Sequence, residues 1–173
     1  MHHLQRDEAL AFIGVYQHFL ETLRQPGGKE SVLQNLAQAR ALFLEQPAML
    51  GTYRTRHPQQ PAEIIEAIAS LRVKRWIYLR DTANYSIFLD PNGNAAYAVH
   101  GLTQRLREVT GGMTGCVITT GVFAWDGIFV CDGIVADLVW LGSNIKRDFS
   151  GRLKILRQQG QFFFCPWATG AWQ

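Results

Sequence analysis

Apolar positions in the first part of the chain recur at helical spacing. From Gln5 to Arg24 they fall at Ala9, Phe12, Ile13, Tyr16, Phe19, Leu20 and Leu23, the single stripe of an amphipathic helix. Pro26-Gly27-Gly28 stops it. Ser31 and Gln34 have the spacing of a capping box, in which each side chain satisfies the other residue's free amide. They predict a second helix, antiparallel to the first, with Val32, Leu33, Leu36, Leu42 and Phe43 inward. Residues 46–61 hold Pro47, Gly51, Pro58 and Pro61 without a period, which fits a linker, a binding loop or a short helix. Pro61 suits the first turn of a further helix, where its missing amide costs nothing, and Ile64, Ile65, Ile68 and Leu71 give that helix its face.

At Lys74 the period changes to two. Lys74–Arg80 and Asn84–Leu89 are rich in aromatic and β-branched residues and read as strands, joined through the turn at Asp90-Pro91-Asn92-Gly93-Asn94 to a third, Ala95–His100. Residues 102–110 read as a short helix or an irregular crossover ending in Gly111-Gly112. Cys116–Trp125, Ile128–Cys131 and Ile134–Trp140 then form an antiparallel meander around turns at Asp126-Gly127 and Asp132-Gly133. Gly142 closes the sheet, Ser143 or Asn144 caps a last helix, and Ile145, Phe149, Leu153 and Leu156 line one side of it. The expected architecture is α+β: N-terminal helices packed on a five- or six-strand, mostly antiparallel sheet or small open barrel, with one C-terminal helix. It divides a single domain, residues 1–173, into a helical layer (1–73), the strands with the last helix (74–160) and an aromatic tail (161–173).

Composition adds little to this. Apolar residues make up 47% and charged residues 18%, a balance that excludes wholesale disorder. No apolar run approaches the ~20 residues of a membrane span, and Asp7 and Glu8 precede the first apolar stretch, so no membrane contact and a cytoplasmic location are expected. Cys116, Cys131 and Cys165 lack paired spacing, which argues against a disulfide framework or a zinc site. Charge is more informative. Residues 1–73 carry seven basic and seven acidic side chains, whereas residues 143–158 carry five basic and one acidic. On the last helix, Lys146, Arg147, Lys154 and Arg157 fall on one arc, and Arg152 lies near the apolar stripe.

The segment Val122–Phe162 resembles a family of uncharacterised bacterial proteins. The match rests on Gly127-Ile128-Phe129-Val130, Asp132-Gly133-Ile134, Gly142 with Ile145, and Gly160-Gln161-Phe162. The resemblance implies a strand–turn–strand–helix order and attaches no function.

The motifs that could carry chemistry mostly dissolve into backbone geometry. Asp90, Asn92 and Asn94 open like a calcium loop, but Ala95 and Gly101 stand where such a loop needs Gly and Glu. Gly111-Gly112-Met113-Thr114-Gly115 precedes a strand, so no helix N-terminus faces a phosphate. Cys131 with Asp132, and His100 as base, lacks any spacing that would bring them together. Asp126 and Asp132 read as turn residues, which leaves Asp137, inside an apolar strand, as a candidate partner for Arg152 in a buried polar pair. No metal site or cofactor is expected, and the pattern leaves any catalytic residues unknown. Two functions follow. One is an interaction module in which Lys146, Arg147, Lys154 and Arg157 contact nucleic acid or an acidic protein. The other is an enzyme whose site joins the strand loops to residues 46–61, which carry Arg54, Arg56 and His57. The tail residues Phe162, Phe163, Phe164 and Trp167 are a candidate interface between copies of the chain.

Overall fold

The computed structural model describes residues 4–24 and 30–166. Four helices come first: α1 (Arg6–Thr22), α2 (Val32–Glu45), α3 (Ala48–Arg56) and α4 (Ala62–Ala69). The capping box opens α2 as the sequence implies, with Ser31 N donating to Gln34 Oε1 at 2.9 Å and Gln34 N to Ser31 Oγ at 3.3 Å. The aperiodic 46–61 segment is largely the helix α3, which Tyr53 and Leu50 anchor to the core.

Strands β1 (Arg72–Asp81), β2 (Ser86–Leu89) and β3 (Ala96–His100) follow, then the single-turn α5 (Leu106–Val109). Strands β4 (Cys116–Trp125), β5 (Ile128–Cys131) and β6 (Leu138–Trp140) lead to α6 (Gly142–Gln158) and the short β7 (Phe162–Phe163). The fold is α+β, with these strands in one sheet ordered β1-β2-β3-β5-β4-β6, and β7 beside β3. β1 is long enough to pair with β2 at its end and with β4 over Arg72–Tyr78, so the strand order returns on itself. Closure is partial: β3 and β5 run parallel and meet at only two register pairs, Val99 with Phe129 and His100 with Val130. The result is a curled, partly open Greek-key sheet rather than a true barrel.

This differs from a meander. Asp126-Gly127 does turn β4 into β5, with both residues at positive φ (43° and 78°). Asp132-Gly133 does not reverse the chain. β6 lies along the same edge of β4 that β5 occupies, pairing with Cys116–Ile118, so residues 132–137 are an irregular link within one line of strand. Ala136 N still donates to Thr119 O, and Thr119 N to Asp137 O, which keeps the link in register.

Alternation then sorts the side chains. Trp76, Tyr78, Phe88, Tyr97, Val99, Cys116, Ile118, Val122, Phe129 and Cys131 fill the concave interior, with Leu106 of α5. On the outer face, Ile77, Leu79, Ile87, Leu89 and Ala96 take Leu153 and Leu156 of α6. Phe123, Ile128 and Val130 take the helical layer, where Phe12 stacks on Phe123 at 4.2 Å. Only the C-terminal half of the predicted α6 stripe is buried: Leu153 and Leu156 are enclosed, Phe149 is half-buried and Ile145 is exposed. No side chain caps α6, so neither Ser143 nor Asn144 has that role. The inward face of α2 is the predicted one at Leu36 and Phe43, but its first turn does not reach the core. Ala39, Arg40 and Phe43 are buried, whereas Val32 and Leu33 are exposed.

Candidate functional site

A polar cleft of about 280 Å³ opens where β1 passes into β2 and β3 leaves for α5. One wall is the turn Thr82–Tyr85. It is tight because the Thr82 hydroxyl donates to Tyr85 O at 2.8 Å and accepts from the amides of Asn84 (3.3 Å) and Tyr85 (3.1 Å). The facing wall is Gly101–Arg105. A Cβ on Gly101 would run into the carbonyl oxygen of Gln104, so this turn requires glycine. Arg105 ties the walls together, its guanidinium donating to Ala83 O at 3.2 Å. Arg105 is exposed and lines the cleft, as does His100, whose ring lies edge-to-face with Tyr85 at 6.4 Å.

Asp81 lines the same cleft. Its Oδ1 accepts two hydroxyls, Tyr78 at 2.8 Å and Ser86 at 2.7 Å. Its Oδ2 is buried, and no group among the described residues donates to it. Burial, together with the bond to Asp81 and its charge, raises the Tyr78 pKa well above the usual range for a phenol, so Tyr78 remains a neutral donor. Ser86 spends its one proton directly on Asp81. The serine–histidine–acid relay of nucleophilic hydrolases is therefore not assembled here, despite the nearness of all three residue types in the cleft.

A second polar centre lies wholly inside the protein. Arg40 Nη1 meets Asp132 Oδ2 at 2.7 Å, with both side chains at 3% exposure or less. The Tyr16 hydroxyl donates to the same oxygen at 3.1 Å. Asp132 Oδ1 accepts the amides of Gly121 (3.2 Å) and Ile134 (3.0 Å), and Arg40 also donates to Ile134 O at 2.9 Å. Thr120 Oγ1 sits within 3.3 Å of Asp132, Ile134 O and the Cys131 sulfur. A Cβ on Gly121 would strike the Asp132 carboxylate, so that glycine makes the room. Both carboxylate oxygens are satisfied, and the centre joins α1 and α2 to the β4–β6 line. It holds structure together and offers no free atom to a ligand. Burial first, then the Asp132 charge, pushes the Cys131 thiol up to about 12. The pairing of Cys131 with a base is accordingly not chemistry this site performs, because the thiol stays protonated at neutral pH.

The other sequence-flagged residues are dispersed. Lys146 donates to Thr114 Oγ1 at 3.1 Å, Arg147 to Asn144 Oδ1 at 2.8 Å, and Arg157 lies 4.8 Å over the Phe162 ring; Lys154 is exposed. Three of the four cations are thus engaged within the protein. Asp137 and Arg152 do not form a buried pair: Asp137 is exposed, and Arg152 donates to Gly93 O at 2.6 Å. The acid that is buried with an arginine is Asp132, whose Asp-Gly pattern reads as a turn. Asp90 makes a turn as expected, accepting Asn92 N at 2.9 Å. A cleft between α1 and α3 includes Arg56 and His57 but no residue of β4–β6, so the loops proposed for a joint active site do not share it. Phe162 and Phe163 pack on the protein's own core, Phe164 is exposed, and Trp167 lies outside the described residues. Among the described residues no group of three or more His, Cys, Asp or Glu could hold a metal ion, and no helix is long and apolar enough to cross a membrane.

Asp81, Ser86 and Arg105 carry no motif that singles them out in the sequence. Asp81 looks like an ordinary strand end, and nothing local marks it as buried. Arg40 did leave a signal, since it stands four residues after Leu36 and three before Phe43 on the apolar stripe of α2. No protein-family model, curated protein or solved structure matches this chain.

Proposed function

We propose that the protein is a binding module for a small polar molecule, held in the cleft that Asp81 and Arg105 line. One observation carries this reading: Asp81, whose buried Oδ2 has no donor among the described residues, lines a cleft whose walls are braced by their own hydrogen bonds. A buried acceptor left unpaired costs about 1–3 kcal/mol, more when it is charged. A group retained at that cost in a preformed cleft fits a ligand-binding role. The cleft is at the small end of ligand pockets, about 300–1,000 Å³, which favours a molecule of few heavy atoms over a nucleotide.

The test is a titration of the ¹⁵N-labelled protein with n-propylammonium and ethanolamine at millimolar concentration. Shifts concentrated in residues 81–86 and 99–105, absent in Asp81→Asn, are expected. Shifts scattered elsewhere, or equal in the variant, would refute the reading.

A further inference from the structure

We infer that the free edge of β6 pairs with the same edge of a second copy of this chain, in a two-fold antiparallel dimer in which Asp137 of each copy caps α6 of the other. β6 is the last strand in the sheet order and pairs only with β4. Asp137 O accepts from Thr119 N, and Leu141 N donates to Gly115 O, so residues 137, 139 and 141 turn their backbone groups toward β4. The alternation of an antiparallel ladder then points the N–H and C=O groups of Leu138 and Trp140 away from the sheet. No partner among the described residues takes them up. Such an edge is a template for another strand. It is also apolar, with Val139 53% and Trp140 59% exposed.

One register uses all of these groups. With Val139 on the two-fold axis, Leu138 of one copy faces Trp140 of the other, and each such pair exchanges both of its N–H···O bonds. The exposed Trp140 ring gains the other copy's Leu138 as its cross-strand neighbour, and the two Val139 side chains meet on the axis. The same register sets Asp137 opposite Leu141 of the other copy, the residue that precedes the first turn of α6. Val139 lies beside Val117, which packs among Ile77, Leu79, Leu153 and Leu156. Positions 137, 139 and 141 therefore share the face on which α6 lies. α6 starts at this edge and runs back over residues of β1 to β3, so its first turn faces the edge. That turn has free amides, no side-chain cap and no acidic residue. Asp137 is exposed and without an ion pair among the described residues, and its carboxylate supplies the missing acceptor. An edge of three residues makes a contact at the small end of specific interfaces, under about 1,200 Å², so the dimer is a reversible one.

Sedimentation velocity on the full chain, from micromolar to millimolar concentration, should show the mass rising from monomer toward dimer. Asp137→Lys sets a cation against each helix N-terminus and should weaken the dimer about tenfold or more. A melting temperature within a few degrees of the parent at low concentration confirms that the variant is folded. Val139→Cys, in a Cys165→Ser background, should oxidise to a covalent dimer, because antiparallel neighbours in a non-hydrogen-bonded pair stand within disulfide reach. Trp140→Cys in the same background lies off the axis and should cross-link far more slowly. A monomer at every concentration overturns the inference. So does a dimer that Asp137→Lys leaves intact, or one in which Val139→Cys cross-links no faster than Trp140→Cys, since the contact then uses another surface or register. Growth past the dimer means open-ended pairing and overturns the two-fold arrangement as well.

Discussion

Asp132 and Asp81 show how differently two carboxylates in one protein can be treated. Asp132 receives two amides, a phenol and a guanidinium, so removing one partner leaves a buried charge uncompensated. Arg40→Met should therefore destabilise by about 3–5 kcal/mol, a fall in melting temperature of roughly 10 °C for a chain of this length. Thermal unfolding followed by circular dichroism measures it. Asp81 is the reverse case. Asp81→Asn removes a carboxylate charge whose Oδ2 has no donor, and should leave the melting temperature unchanged or slightly higher while eliminating binding, the usual sign of a group kept for function. The buried thiols set the alkaline limit. Burial raises Cys116 to about 11 and Cys131 to about 12, from an ordinary value near 9. The folded state then holds protons that the unfolded chain releases. Stability is full below pH 9 and declines as pH rises toward 12, by up to about 1.4 kcal/mol per pH unit for each group. Urea midpoints at pH 8 and 10.5 should differ accordingly, and Cys131→Val should flatten the difference.

Elements built on local signals were legible in the sequence, and elements fixed by distant partners were not. The α1 stripe, the Ser31 capping box and the Asp90 and Asp126 turns all depend on neighbours within a few residues. The burial of Arg40 was hidden because its partner, Asp132, lies 92 positions away. Asp132-Gly133 reads as a hairpin turn by composition, yet the chain runs on along β4, because the carboxylate accepts the amides of Gly121 and Ile134 and so braces the link. Strand order was illegible for the same reason: the β1–β4 and β3–β5 pairings join segments far apart in the chain. The candidate cleft shares this history. Its walls come from two loops whose closeness depends on β2–β3 pairing, and only Gly101 hints at a tight turn. Gly101→Ala should open the Gly101–Arg105 turn and weaken ligand binding, with chemical shifts changing chiefly in residues 82–86 and 100–105; unchanged affinity would mean that this wall does not define the site.

At the scale of the whole molecule, the curled sheet resembles a self-contained unit but depends on the helices. Its outer face carries Phe123, Ile128 and Val130 into the helical layer, and Asp132 requires Tyr16 and Arg40. A fragment beginning at Arg72 would expose that apolar face and strip Asp132 Oδ2 of its phenol and guanidinium donors. It should fail to give dispersed amide resonances, whereas the full chain should unfold in one cooperative transition.

The Arg40–Asp132 contact also has a meaning in time. The chain is synthesised from its N-terminus at about 5–20 residues per second, so Arg40 emerges roughly 5–20 s before Asp132 exists. Throughout that interval α2 carries an arginine on the side that will become interior. The helical half cannot lock into its final packing early, and assembly of this protein waits for the link after β5 to be made.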